Sequence, residues 1–261
     1  MKWLLIICFI LPGLFGNTQD LFVYENHFYN APELNLPYRL LKPESFDTSK
    51  QYPLVIFLHG SNERGFDNKA QLNIGGHFFL RDSIRKNYPA FVLFPQCPTV
   101  DTWAYFAVEE TSTSGQGDFK FPFRKKPTEV SAVLIRLIDS LQQVYKIDRQ
   151  RIYIGGLSQG GMGVLDLIAR YPDRFTAGFS ICGADNSSTA KNFAGKVALW
   201  LFHGRNDDVI PVSFSQSYYQ KLRKGKADVR YSEYSNVQHN SWVNAFAEPE
   251  LMLWLFSRVK K

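Results

Sequence analysis

Residues that together could relay a proton stand in order along this 261-residue chain: Ser158, the adjacent pair Asp207 and Asp208, and His239. A serine hydroxyl is a poor nucleophile at neutral pH, so it needs a base within hydrogen-bond reach and a third group that fixes the base's tautomer. Ser158 lies in Gly156-Leu157-Ser158-Gln159-Gly160, where flanking glycines let a strand turn sharply into a helix and leave the hydroxyl projecting. Such a pentapeptide arises often by chance. Its weight comes from context: Ile152-Tyr153-Ile154 reads as a buried strand before it, and apolar residues recur at helical spacing after Met162. Of the five histidines, His59 and His203 close apolar runs before glycines and read as structural. His27 falls in an edge strand and His77 beside a helix break, which leaves His239 as the candidate base. Adjacent aspartates cannot both face one imidazole; Asp207 is the preferred orienter and Asp208 a cap or surface charge.

These positions need elements to carry them. Residues 20–42 alternate apolar and polar and predict antiparallel edge strands. PLVIFLHG predicts a strand buried on both faces, and the turn His59-Gly60-Ser61-Asn62 after it can offer backbone N–H groups to a developing oxyanion or serve as an ordinary strand-to-helix turn. Residues 71–87 read as helix in two pieces broken near Gly75-Gly76, and AFVLFP as the next buried strand. Trp103, after Gln96-Cys97-Pro98, could stack on a sugar or aromatic ring or simply pack a loop. Residues 105–127 show no sustained period and read as a long loop of the kind that often covers a binding site. The apolar stripe from Val130 to Tyr145 is a scaffold helix. TAGFSICG, VALWLFHG and DVRYSEY are strands, with helices over 213–224 and 251–256. The alternation predicts an α/β fold, a mostly parallel central sheet with helices on both faces.

A net charge of +6 spread along the chain, with no arginine-rich arm, zinc-ligand spacing or aromatic RNA-binding signature, argues against nucleic acid as a partner. Residues 1–18 have the layout of a secretory signal peptide: Lys2, an apolar run from Trp3 to Leu11, then Pro12 and Gly13. The run is too short to span a bilayer as a permanent helix, so the expected location is secreted or periplasmic, with residues 19–261 as one domain. Cys97 and Cys182 remain after processing; the compartment permits a disulfide, but both sit beside predicted buried strands, and two buried thiols are the favoured state.

Taken together, LPYRLLKP, PLVIFLHGSNERGFDN, FPQCP with Trp103, RIYIGGLSQGG, ICG, FHGRNDD and VQHNSW resemble the α/β-hydrolase superfamily, in the secreted esterase and predicted-peptidase branch near the phospholipase/carboxylesterases. The resemblance spans nearly the whole mature chain. It implies Ser158 as nucleophile, His239 as general base and then acid, Asp207 as orienter, and an oxyanion hole made by the backbone N–H of Gln159 with that of Ser61 or Asn62. The implied reaction is hydrolysis of an ester without metal or organic cofactor. Export, Trp103 and the habits of relatives direct the expectation to acetyl or feruloyl esters on polysaccharide. A serine peptidase of the same fold and a non-catalytic fold that binds carbohydrate or a partner are the alternatives.

Overall fold

The computed structural model describes residues 20–109 and 118–260; the expected signal peptide, residues 1–18, lies outside them. Strands β1 (Glu25–Asn30) and β2 (Asn35–Leu41) form an antiparallel hairpin, with Glu25 opposite Leu40, at one edge of the sheet. β3 (Tyr52–Leu58) is buried at every position, as its unbroken apolar run requires, and is followed by a 3-10 turn over Ser61–Glu63. Short helices α1 (Gly76–Leu80) and α2 (Asp82–Asn87) then lead into β4 (Phe91–Pro95). A 3-10 turn over Ala70–Leu72 precedes them, and the chain breaks at the glycine pair as expected, where Gly75 takes a left-handed conformation, φ 99°, ahead of α1; a second break, not expected, falls at Arg81 between α1 and α2.

Where a featureless loop was expected, β5 (Ala107–Glu109) and β6 (Asp118–Lys120) pair antiparallel in a small separate sheet. Three-residue strands carry too few alternations to register as a period. Then come α3 (Glu129–Val144), β7 (Ile147–Leu157), α4 (Gln159–Arg170), β8 (Ala177–Ile181) and β9 (Ala198–Gly204). The chain finishes with α5 (Ser213–Lys224), β10 (Val229–Tyr234), α6 (Trp242–Ala245) and α7 (Leu251–Phe256).

The main sheet has eight strands in the order β1-β2-β4-β3-β7-β8-β9-β10. Pairing is parallel from β4 through β10 and antiparallel only at β1/β2 and β2/β4. Two apolar layers sandwich it. One holds α3 and the far side of α4 against Leu54, Ile56, Ile154 and Leu201; the other holds α1 and α7 against Val55, Phe57, Phe179 and Phe202. Alternate residues of each strand serve opposite layers, as period two demands. A mostly parallel sheet wound this way brings the carboxyl ends of β3, β7, β8 and β9 to one rim, where the loops that follow them meet.

Candidate active site

Ser158 occupies the turn between β7 and α4 with φ 53° and ψ −120°, a conformation that side-chain-bearing residues rarely adopt. The turn closes because glycines surround it. A β-carbon on Gly160 would stand 2.0 Å from the carbonyl oxygen of Leu58, and one on Gly156 2.5 Å from the carbonyl oxygen of Gly160. Only hydrogen at these positions lets α4 begin directly against the end of β3.

His239 reaches the serine from the loop after β10. Ser158 Oγ and His239 Nε2 are 2.9 Å apart, and His239 Nδ1 lies 2.8 Å from Asp207 Oδ2 and 3.1 Å from Oδ1. With Nδ1–H donating to the carboxylate, Nε2 is free to accept the serine proton. Asp208 points to solvent, so the choice between the neighbouring aspartates falls on geometry to Asp207.

Asp207 is held from several directions. Oδ1 accepts the N–H groups of Val209 at 2.9 Å and Ile210 at 2.8 Å, and Oδ2 lies 3.2 Å from His203 Nε2. Burial alone would raise its pKa, but hydrogen bonds from His203, His239 and the Ile210 N–H hold it far below the usual carboxylate range. Burial pulls the His239 imidazole down, and the hydrogen bonds to Asp207 and Cys182 outweigh that and raise it. His203 is the structural histidine that its place before a glycine suggested, fully buried between Ser215 Oγ at 2.8 Å and the Ile210 carbonyl at 3.0 Å. Its contact with Asp207 is an i,i+4 relation that the spacing alone could have flagged.

The expected oxyanion donors lie at two element starts. Gln159 is the first residue of α4, and Ser61 and Asn62 open the 3-10 turn after β3. First-turn N–H groups have no partner inside their own helix. A β-carbon on Gly60 would lie 3.6 Å from Ser158 Cβ, so the turn abuts the serine. A polar brace fixes it from behind. Gln96 Nε2 donates to the Glu63 carbonyl at 3.1 Å and to Asp67 Oδ1 at 2.8 Å, while Gln96 Oε1 accepts Asn68 N–H at 2.8 Å. Cys97 N–H donates to His59 Nε2 at 2.9 Å, leaving Nδ1–H for the Gly60 carbonyl at 2.7 Å. Burial lowers the His59 pKa to about 4, so the ring is neutral and works as a two-ended brace.

Trp103 is a correction. It is 0% exposed, wedged against α4 where a Gly163 β-carbon would meet its Cβ at 2.4 Å, and its Nε1–H donates to the His59 carbonyl at 3.1 Å. No face is left for a substrate ring, because an indole after a strand end is drawn into the apolar layer beneath the loop. Both cysteines are buried free thiols, as favoured. The sequence did not reveal that Cys182, at the end of β8, comes close to His239 and Asp207. Nor did it reveal Gly204, over which the His239 loop folds. A cysteine directly after an apolar strand neighbouring the serine strand was the only available signal for the former.

Residues 46–250 match the family described as Phospholipase/Carboxylesterase. A bifunctional acetylxylan esterase/xylanase from Neocallimastix patriciarum is 28% identical over 172 residues, 66% of this chain and 22% of that protein. Among solved structures, a thermostable esterase superposes with TM-score 0.82 at 33% identity, covering 92% of this chain and 64% of the other. A CE1 ferulic acid esterase from Anaeromyces mucronatus, in complex with ferulic acid, gives TM-score 0.63 at 16% identity over 88% of this chain and 89% of its own, a likeness of fold. The chain thus spans less than two thirds of the first two relatives, which are longer.

Proposed function

The chain belongs to the phospholipase/carboxylesterase family of α/β hydrolases, and on that footing we propose that it is an exported serine carboxylesterase using Ser158, His239 and Asp207. The observation that carries the reading is the unbroken hydrogen-bond line from Ser158 Oγ through His239 to Asp207, 2.9 Å and then 2.8 Å. Ser158 Oγ attacks the ester carbonyl while His239 Nε2 takes its proton. The carbonyl oxygen gains charge beside the N–H groups of Gln159 and of Ser61 or Asn62, where each donor is worth roughly 10²–10³ in turnover. His239 then protonates the departing alcohol, water attacks the acyl-enzyme with His239 again as base, and the acid leaves. Asp207, held anionic by its donors, keeps Nδ1 protonated and stabilises the imidazolium at each transfer.

Acyl esters of polysaccharide are the substrate class we favour. The acetylxylan esterase relative and the ferulic acid esterase fold support this, and residues 1–18 with their signal-like layout fit an extracellular polymer. Among the described residues no helix is long and apolar enough to cross a membrane. Phe119, Phe121 and Phe214 pack together beside Met162 and Ile210, the latter donating its N–H to Asp207, so an apolar wall borders the site. Such a wall suits an aromatic acyl group. We take residues 19–261 as one catalytic unit. The deciding experiment is turnover of p-nitrophenyl acetate with fluorophosphonate labelling: wild type hydrolyses and is labelled at Ser158, and Ser158→Ala does neither while melting at a similar temperature. Hydrolysis undiminished in Ser158→Ala would refute the assignment, and faster cleavage of an anilide than of the matching ester would favour a peptidase.

A further inference from the structure

Cys182 is a buried nucleophile for which ester hydrolysis has no use. It follows β8 at φ 40°, is 0% exposed, and donates its N–H to the Phe202 carbonyl at 2.8 Å. Its strand lies between β7, which delivers Ser158, and β9, which runs on to Asp207. The sheet therefore sets the thiol beside the acid and base. Cys182 Sγ, a ring nitrogen of His239 and a carboxylate oxygen of Asp207 all lie within 4.8 Å of one another.

We propose that Cys182, Asp207 and His239 form an inhibitory site for a thiophilic divalent cation, zinc fitting the donor set best. Thiolate, imidazole and carboxylate are zinc's ordinary ligands at about 2.0–2.3 Å, and tetrahedral bonds of that length set donor atoms roughly 3.5 Å apart. The 2.8 Å between His239 Nδ1 and Asp207 Oδ2 has to open by less than about 1 Å to match. Two anionic ligands cancel the charge of the cation, so the group is neutral as a whole and its burial costs less than that of an unpaired ion. His239, with 19% of its side chain exposed, is the side from which the cation arrives, and water completes the fourth position.

Inhibition follows from the tautomer. Nδ1 is the nitrogen facing Asp207, and a neutral imidazole with the cation on Nδ1 carries its proton on Nε2, the atom that faces Ser158. The thiol releases its proton to solvent, a sulfur–metal bond forms, and no atom changes oxidation state. A ring protonated at Nε2 cannot take the serine proton. Only this inhibitory consequence rests on the esterase reading; binding does not.

Cobalt(II) chloride titrated into the purified full chain reads out binding, because cobalt on a thiolate gives a charge-transfer band in the near ultraviolet. The expected result is a band in wild type that zinc displaces and EDTA abolishes, and that is missing from Cys182→Ser, which still holds Cys97. In the p-nitrophenyl ester assay zinc lowers turnover and EDTA restores it. The half-inhibiting zinc concentration rises at least about tenfold in Cys182→Ser, each protein being referenced to its own rate in EDTA. No band in wild type at millimolar cobalt, a band that persists in Cys182→Ser, or equal zinc sensitivity of the two proteins overturns the proposal. Ser158→Ala separates the two readings: it keeps the band if the cation site is right and loses turnover if the esterase assignment is right. Should Cys182→Ser fail to fold, His239→Gln removes a ligand from a more exposed position and must weaken cobalt binding by a similar factor.

Discussion

The carbonyl oxygen of Gln238 lies 2.2 Å from where a β-carbon on Gly204 would stand. The loop that carries His239 is thus laid directly on the backbone that carries Asp207, and Asn206 N–H clasps it by donating to the Val237 carbonyl at 3.0 Å. A methyl group there must lift residues 237–238 and with them the imidazole. Gly204→Ala is expected to lower kcat by about 10²-fold, the effect of moving a reacting group by about an ångström. Its melting temperature falls by a few degrees, as for about 1–3 kcal/mol of overpacking. Turnover and thermal melts of the one variant check both.

In the proposed mechanism His239 is neutral when it accepts the Ser158 proton, and hydrogen bonding to Asp207 raises its pKa against the effect of burial, so kcat/KM is expected to climb with pH along a limb above the ordinary imidazole value of about 6.5. Asp207→Asn removes the charge that favours imidazolium. The limb moves to lower pH and the plateau drops by roughly 10⁴-fold through loss of the correct tautomer. Asp208→Asn, at an exposed position, leaves both within about twofold. A pH–rate profile of the three proteins decides it.

Asp185 tests linkage away from the site. Burial and the neighbouring Asp166 raise its pKa to about 7, against hydrogen bonds from Asn186, Thr189 and Tyr218. A carboxyl raised in the folded state stabilises the protein below its unfolded pKa, and that contribution is lost as pH rises from about 4 through about 7. Asp185→Asn is therefore expected to gain on wild type over this window, by on the order of 2–4 kcal/mol between pH 4 and pH 8. Denaturant melts at several pH values measure the difference, and parallel curves would contradict it.

Trp103→Phe separates packing from substrate stacking. Its cost is stability, about 1–3 kcal/mol for the His59 carbonyl left without its indole donor. KM for aromatic and acetyl esters should change equally and by less than about twofold. A selective loss on aromatic esters would return the residue to the binding surface.

Much of the fold was legible in the order of periods. Short unbroken apolar runs bounded by turn residues, such as Leu54–Leu58 and Leu199–Phe202, read as strands covered on both faces, and the long stripe on α3 reads as a helix against them. The hairpin β5/β6 was not legible, because its stability comes from Phe119 packing on Phe121 and Phe214 rather than from its own three-residue alternation. The choice for Trp103 between a substrate ring and loop packing was not legible for a related reason. A large side chain in a loop carries no mark of the side of the backbone it takes until neighbours such as Gly163 leave room on one of them.

For the candidate site, local chemistry marked Ser158, because a serine between glycines at a strand-to-helix turn has a backbone requirement written into five consecutive residues. It also ordered the acid and base after it. What the tertiary structure decided is which atoms face one another: Asp207 rather than Asp208, the burial of His203 against that carboxylate, and the approach of Cys182 to His239. Those relations depend on parallel strands β7, β8 and β9 ending in register at one rim. Register between strands is set by packing across the whole sheet, a property that no single stretch of sequence contains.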